Sequence, residues 1–98
     1  MKLLLVELKQ QLKKYSLWQQ HAPDAAALSS QQPFAVDTLE PQEWLQWIFI
    51  ARMESLIEAG GDTPKGFEIT PYFEEVWKLR PELAEVLTVL KQIDEAAK

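Results

Sequence analysis

The sequence has no cysteine and a single histidine, His21. The first absence excludes disulfides and thiolate chemistry outright. Together they prevent the usual zinc sites and histidine-paired nucleophiles from being assembled within one chain. Only three glycines occur, Gly60, Gly61 and Gly66; they lack the spacing of a phosphate-binding loop, and no apolar strand precedes them. Long apolar runs are missing as well. The stretch from Trp44 to Ala51 falls well short of the roughly 20 residues of a membrane span and contains Gln46, so no membrane association is expected. The short apolar start, Met1 to Val6, passes straight into Glu7, Lys9 and Gln10 without a small-residue cleavage site, which argues against a signal peptide and for the cytoplasm. Positive charge is scarce too: 10 Lys and Arg against 15 Asp and Glu give a net charge of -5. Nucleic-acid binding draws most of its affinity from cations set against phosphates, so direct binding is not expected. The densest cation group is Lys2, Lys9, Lys13 and Lys14, interleaved with Glu7 and read as a solvated helix face.

What is present is apolar and helical. With 47% hydrophobic and 26% charged residues among 98, the chain is too apolar for a disordered segment and suits a single helical domain spanning residues 1–98. Leu5, Leu8, Leu12 and Tyr15 recur at three- and four-residue steps, predicting a first helix from about Lys2 to Trp18. His21 lies just beyond it, where a histidine ordinarily satisfies terminal carbonyls. Asp24 is placed to cap a short turn through Ala25–Leu28. Pro33 forces Gln32 out of helical geometry and marks an irregular connection from Ser29 to Val36. A second long helix is expected from Pro41 to Ala59. Glu40 stands at its N-cap with Glu43 reaching back, Asp37 or Thr38 is the alternative holder of its start, and Gly60-Gly61 forms its C-cap. Thr70 is placed to cap a third, short helix ending near Leu79. A last helix from Pro81 carries the stripe Leu83, Val86, Leu87, Leu90, Ile93 and Ala97. The expected fold is all-α: a small four-helix bundle or orthogonal helical array with one extra short helical turn.

Carboxylates such as Glu54, Glu58, Glu74 and Glu75 form no Glu-x-x-His di-iron pattern and read as surface solvation. No catalytic, cofactor-binding or metal-ligating residue is expected. The aromatic stretch is more informative. At 100° per residue, Trp44, Leu45, Ile48, Phe49, Ala51, Met53 and Leu56 share a broad arc, opposite Glu43, Gln46, Glu54 and Glu58. Trp47 and Ile50 fall on the polar side. Either the helix is central and contacted all round, or Trp47, Ile50 and the nearby Phe34 form an interaction surface. Arg52 falls inside the apolar arc and needs an acid, for which Asp37 is the candidate partner.

Several segments together resemble the YqcC-like proteins, a family of small bacterial proteins of undefined function. They are Ser30-Gln-Gln-Pro-Phe34, Asp37-Thr38-Leu39, Trp44-Leu-Gln-Trp-Ile48 and Arg52-Met53, with Leu17-Trp18 before them and Leu87, Leu90, Ile93 and Asp94 after. The resemblance covers nearly the whole chain and implies a helical bundle of this size. One departure is Ala51, where the family commonly has proline, and alanine is expected to leave the helix straighter. The genes of the family often neighbour a tRNA pseudouridine synthase, which implies an accessory role in tRNA modification and an RNA-modifying enzyme as the protein partner. The expected function is therefore a non-enzymatic interaction or accessory domain. The alternative is a small-ligand binder or minor enzyme with a pocket between residues 30–38 and the helix at 41–59, using Asp37, Thr38, Gln46 and Arg52.

Overall fold

The computed structural model describes residues 1–98 and is all-α, with no strands. Helix α1 is Lys2–Lys14 and buries Leu5, Leu8 and Leu12, as the spacing requires. It stops earlier than its periodicity suggests. Ser16 adopts φ 60°, its N–H bonds to Lys13 O, and the Leu17 N–H bonds to Leu12 O at 2.8 Å. This is a Schellman closure, and it drops Leu17 back onto the core beside Leu12. The terminal carbonyls are thus satisfied by the backbone, while His21 is exposed and makes no hydrogen bond to them.

The short turn α2, Ala25–Leu28, is capped as expected, with the Ala27 N–H donating to the Asp24 carboxylate at 2.8 Å. Next comes a single 3₁₀ turn, Pro33–Ala35. The long helix α3 spans 41–58 in three continuous pieces: Pro41–Trp44, a π-helical segment Leu45–Ile50, and Ala51–Glu58. At its start the Glu40 N–H donates to the Glu43 carboxylate at 2.7 Å, so the reach-back half of a capping box is present. Asp37 and Thr38 do not hold this end. Asp37 accepts from the Ser30 hydroxyl, and the Thr38 hydroxyl donates to Ala27 O. Gly60, at φ 76°, closes the helix with N–H bonds from Gly60 and Gly61 to Ile57 O and Leu56 O. Glycine suits that left-handed position because it carries no Cβ.

Helix α4 is Thr70–Val76, and α5 is Ala84–Ala96, entered through a 3₁₀ turn Pro81–Leu83. Thr70 does not cap α4. The cap comes from α5: both Asp94 carboxylate oxygens accept from the Ile69 N–H, at 3.0 and 3.2 Å, and one accepts from the Thr70 N–H at 2.9 Å. Helices α1 and α5 pack on one another, and α4 packs on α5. The stripe Leu83, Val86, Leu90, Ile93 and Ala97 is buried, with Leu87 half-buried. Sixteen buried residues from all four longer helices and their flanks form one core cluster. No helix is long and apolar enough to cross a membrane.

Candidate functional site

The π segment decides what α3 shows to its surroundings. A π turn spaces its hydrogen bonds at i→i+5, so everything beyond it rotates by about one residue's step, roughly 100°. Ile50 is thereby carried into the core at 1% exposure, alongside Leu45, Phe49 and Met53. Arg52 is carried out of the apolar arc into solvent, where it forms no ion pair. Two expectations are corrected here. Ile50 is core and presents no interaction surface, and Asp37 bonds to Ser30 while Arg52 stands apart from it. Nor is the stretch before Ala51 a plain α-helix, since the π segment runs up to Ile50.

Gln46, expected on the solvent side, is buried. Its side-chain oxygen accepts from the Gln19 N–H and its Nε2 donates to Gln19 O, both at 2.8 Å. The Gln19 side chain in turn donates to Glu43 at 3.0 Å and accepts from the Trp47 indole N–H at 2.8 Å. The chain leaving α1 is thus clamped to the π face of α3. Trp47 stays half-buried at the edge of a shallow cleft of about 320 Å³, whose walls include Trp18, Gln20, Lys9 and Glu54. The Lys9–Glu54 ion pair bridges α1 and α3 across this cleft, so its charged groups are already engaged with each other.

The other end of α3 carries an aromatic layer. Phe34 stacks face to face on Tyr72, with ring centroids 4.0 Å apart and planes 9° from parallel, and its centroid lies 4.7 Å from that of Trp44. Phe73 packs behind them and contacts Trp77, their centroids 4.9 Å apart. Phe34 and Ala35 adopt φ values of 56° and 50°. Two successive left-handed L-residues cost about 1–2 kcal/mol each, a strain held in place by the packing around them. The consequence is local. Phe34 turns inward onto Tyr72, Ala35 is buried, and Val36 is left 59% exposed. Phe34, expected at an interaction surface, is therefore half-buried against α4.

The expected pocket between residues 30–38 and α3 is not where its polar groups point. Thr38 bonds to Ala27, Gln46 to Gln19, Asp37 to Ser30, and Arg52 borders a separate apolar hollow with Phe67 and Pro64. A groove of about 460 Å³ instead opens beside Val36, between the start of α3 and α4. Leu39, Glu40, Tyr72, Val76 and Trp77 line it, with Arg80 at its end. Desolvation, aided by the Glu40 charge, raises the Tyr72 hydroxyl above its ordinary pKa. Periodicity did not signal this groove, because it is made where Val36 is turned outward by the left-handed pair before it.

Cations are mostly committed. Lys9, Lys14, Lys78, Arg80, Lys91 and Lys98 pair with Glu54, Glu85, Glu75, Glu82, Glu74 and Glu95. Two of the four lysines on α1 are among them, which leaves that helix face little free positive charge for phosphates.

Comparison with known proteins bears on this arrangement. A family model described as tRNA pseudouridine synthase C matches residues 1–96. An uncharacterized protein of Haemophilus influenzae is 42% identical over 91 residues, covering 93% of this chain and 86% of that protein. The uncharacterized protein YqcC of Escherichia coli is 35% identical over 94 residues, covering 95% and 86%. A protein of Pectobacterium carotovorum named tRNA pseudouridine synthase C is 33% identical over 76 residues, which make up 78% of this chain but only 20% of that protein. No solved structure is significantly similar.

Proposed function

The chain belongs to the YqcC-like family, and on that premise we propose that it is a non-enzymatic accessory domain that docks onto a tRNA pseudouridine synthase. The observation that carries the reading is the similarity to the longer protein of that name, in which the matched stretch is a fifth of the length. Two units found within one chain in one organism are commonly partners when they occur as separate chains, because a shared chain supplies the high effective concentration that a noncovalent interface otherwise has to provide. The side chains fit an adaptor. The buried polar groups Gln46 and Asp94 are used to fasten one segment of the fold to another. Acidic residues outnumber basic ones, which suits contact with an enzyme that must present lysine and arginine to RNA. The same reading puts the protein in the cytoplasm with its partner.

The test is direct association. The purified chain and the tRNA pseudouridine synthase of the same organism should elute together and give a saturable isotherm in calorimetry, while the chain alone should not retain tRNA at physiological salt. A synthase that ignores the chain at concentrations well above micromolar, in calorimetry and in co-purification alike, would reject the reading.

A further inference from the structure

Two of the five large exposed hydrophobic residues, Val36 and Val76, line the groove between the start of α3 and the end of α4. Small folded proteins scatter such residues singly; a group of them rimmed by polar side chains marks a contact surface. The groove floor is aromatic, with Tyr72 and the buried Trp77 beneath the aliphatic edge. Rigid rings under an aliphatic rim resemble the centre of a protein interface.

Charge indicates what covers it. The six ion pairs leave nine of the 15 acidic residues without a cation, against four unpaired cations: Lys2, Lys13, Arg52 and Lys65. One of the nine, Glu40, lines the groove. Arg80, the cation lining it, is already paired with Glu82. None of the four unpaired cations lines the groove. The one charge in its lining without an ion-pair partner, Glu40, is therefore negative, while an enzyme that handles tRNA is rich in lysine and arginine.

We propose that this groove receives a basic segment of the tRNA pseudouridine synthase, with an apolar side chain seated between Val36 and Val76 over Tyr72 and Trp77, and lysine or arginine meeting Glu40. This rests on the docking reading above and adds the surface and the chemistry of the segment that fills it. The left-handed Phe34–Ala35 pair is what holds Val36 at the groove edge.

The experiment titrates the synthase with wild-type chain, Val76→Asp, Val36→Asp, Glu40→Lys and, on the outer face of α1, Leu3→Asp. All four sites are exposed, and circular dichroism checks that each variant is folded. Val76→Asp and Val36→Asp should each weaken binding by about tenfold or more, the range of a buried interface anchor. Glu40→Lys should weaken it severalfold and flatten its dependence on salt. Leu3→Asp should bind as wild type. If the wild type binds and the three groove variants bind within twofold of it, the inference is wrong while the docking reading stands. A wild-type dimer in sedimentation that Val76→Asp dissolves also overturns it, since the groove would then be filled by a second copy of the chain. A wild type that does not bind the synthase removes both.

Discussion

Asp94 offers the sharpest test of how the fold is fastened. Its carboxylate sits on α5, is 8% exposed, and accepts three close contacts from two backbone N–H groups, of Ile69 and Thr70, 25 and 24 residues away. Helix α4 has no cap of its own, since the Thr70 hydroxyl is buried and bonds to nothing. Asp94→Ala removes the only acceptor of these two donors. Losing an N-cap costs about 0.5–2 kcal/mol, and leaving a buried N–H unsatisfied costs about 1–3 kcal/mol. The two overlap, so the expected loss is about 3 kcal/mol, a large share of the 5–15 kcal/mol typical of whole domains. For a chain of this length that corresponds to a fall in Tm of roughly 12–24 °C. Asp94→Asn keeps one carbonyl acceptor and should lose about half as much. Urea unfolding followed by circular dichroism measures both, with the slope m unchanged if only stability is affected. A loss below about 0.5 kcal/mol for Asp94→Ala, the size of an ordinary surface substitution, would refute the cross-helix cap.

Gln46→Leu should cost about 2–3 kcal/mol, because the Gln19 N–H and C=O both lose their partner at a buried site; the same variant should alter Trp47 fluorescence, since Trp47 is tied to Gln19. Ser16→Gly should raise stability by about 1 kcal/mol in urea by relieving the left-handed C′ position at φ 60°, whereas Gly60→Ala, at φ 76°, should lower it by a similar amount. Ile50→Ala should cost about 2–5 kcal/mol as a buried large-to-small change, and Arg52→Ala close to nothing. Hydrogen bonds from Tyr15 and then Lys14 hold the Glu85 carboxyl below its ordinary value of 4.5. Stability from this cluster is therefore present above that value and lost as pH falls through the lowered pKa. The stability difference between wild type and Glu85→Gln should accordingly shrink as pH falls through the lowered pKa, and in high salt.

What sequence pattern captures here is whatever depends on near neighbours. The stripe of α5, the apolar face of α1, the Asp24 cap and the Gly60-Gly61 closure were all legible, because each is fixed by residues within a turn of one another. The features that escaped are settled by partners far along the chain. Gln46 reads as a polar residue on a polar side, yet it is buried because Gln19, 27 positions earlier, supplies both of its hydrogen bonds. Thr70 has the form of a cap, yet Asp94 takes the role from another helix. The interaction surface went astray for one backbone reason at each end. At Leu45–Ile50 the π segment delays the helical wheel by about one step, which moves Ile50 inward and Arg52 outward together. At Phe34–Ala35 two left-handed residues reverse which side chain faces out, so the phenyl ring is stacked inside and Val36 is shown instead. Neither conformation has a residue signature, since leucine, isoleucine, phenylalanine and alanine all prefer ordinary helical or extended backbone. They persist because contacts from α4 and from the segment after α1 over-determine them, and so the exposed apolar surface lies beside the aromatic motif that identifies the family rather than within it.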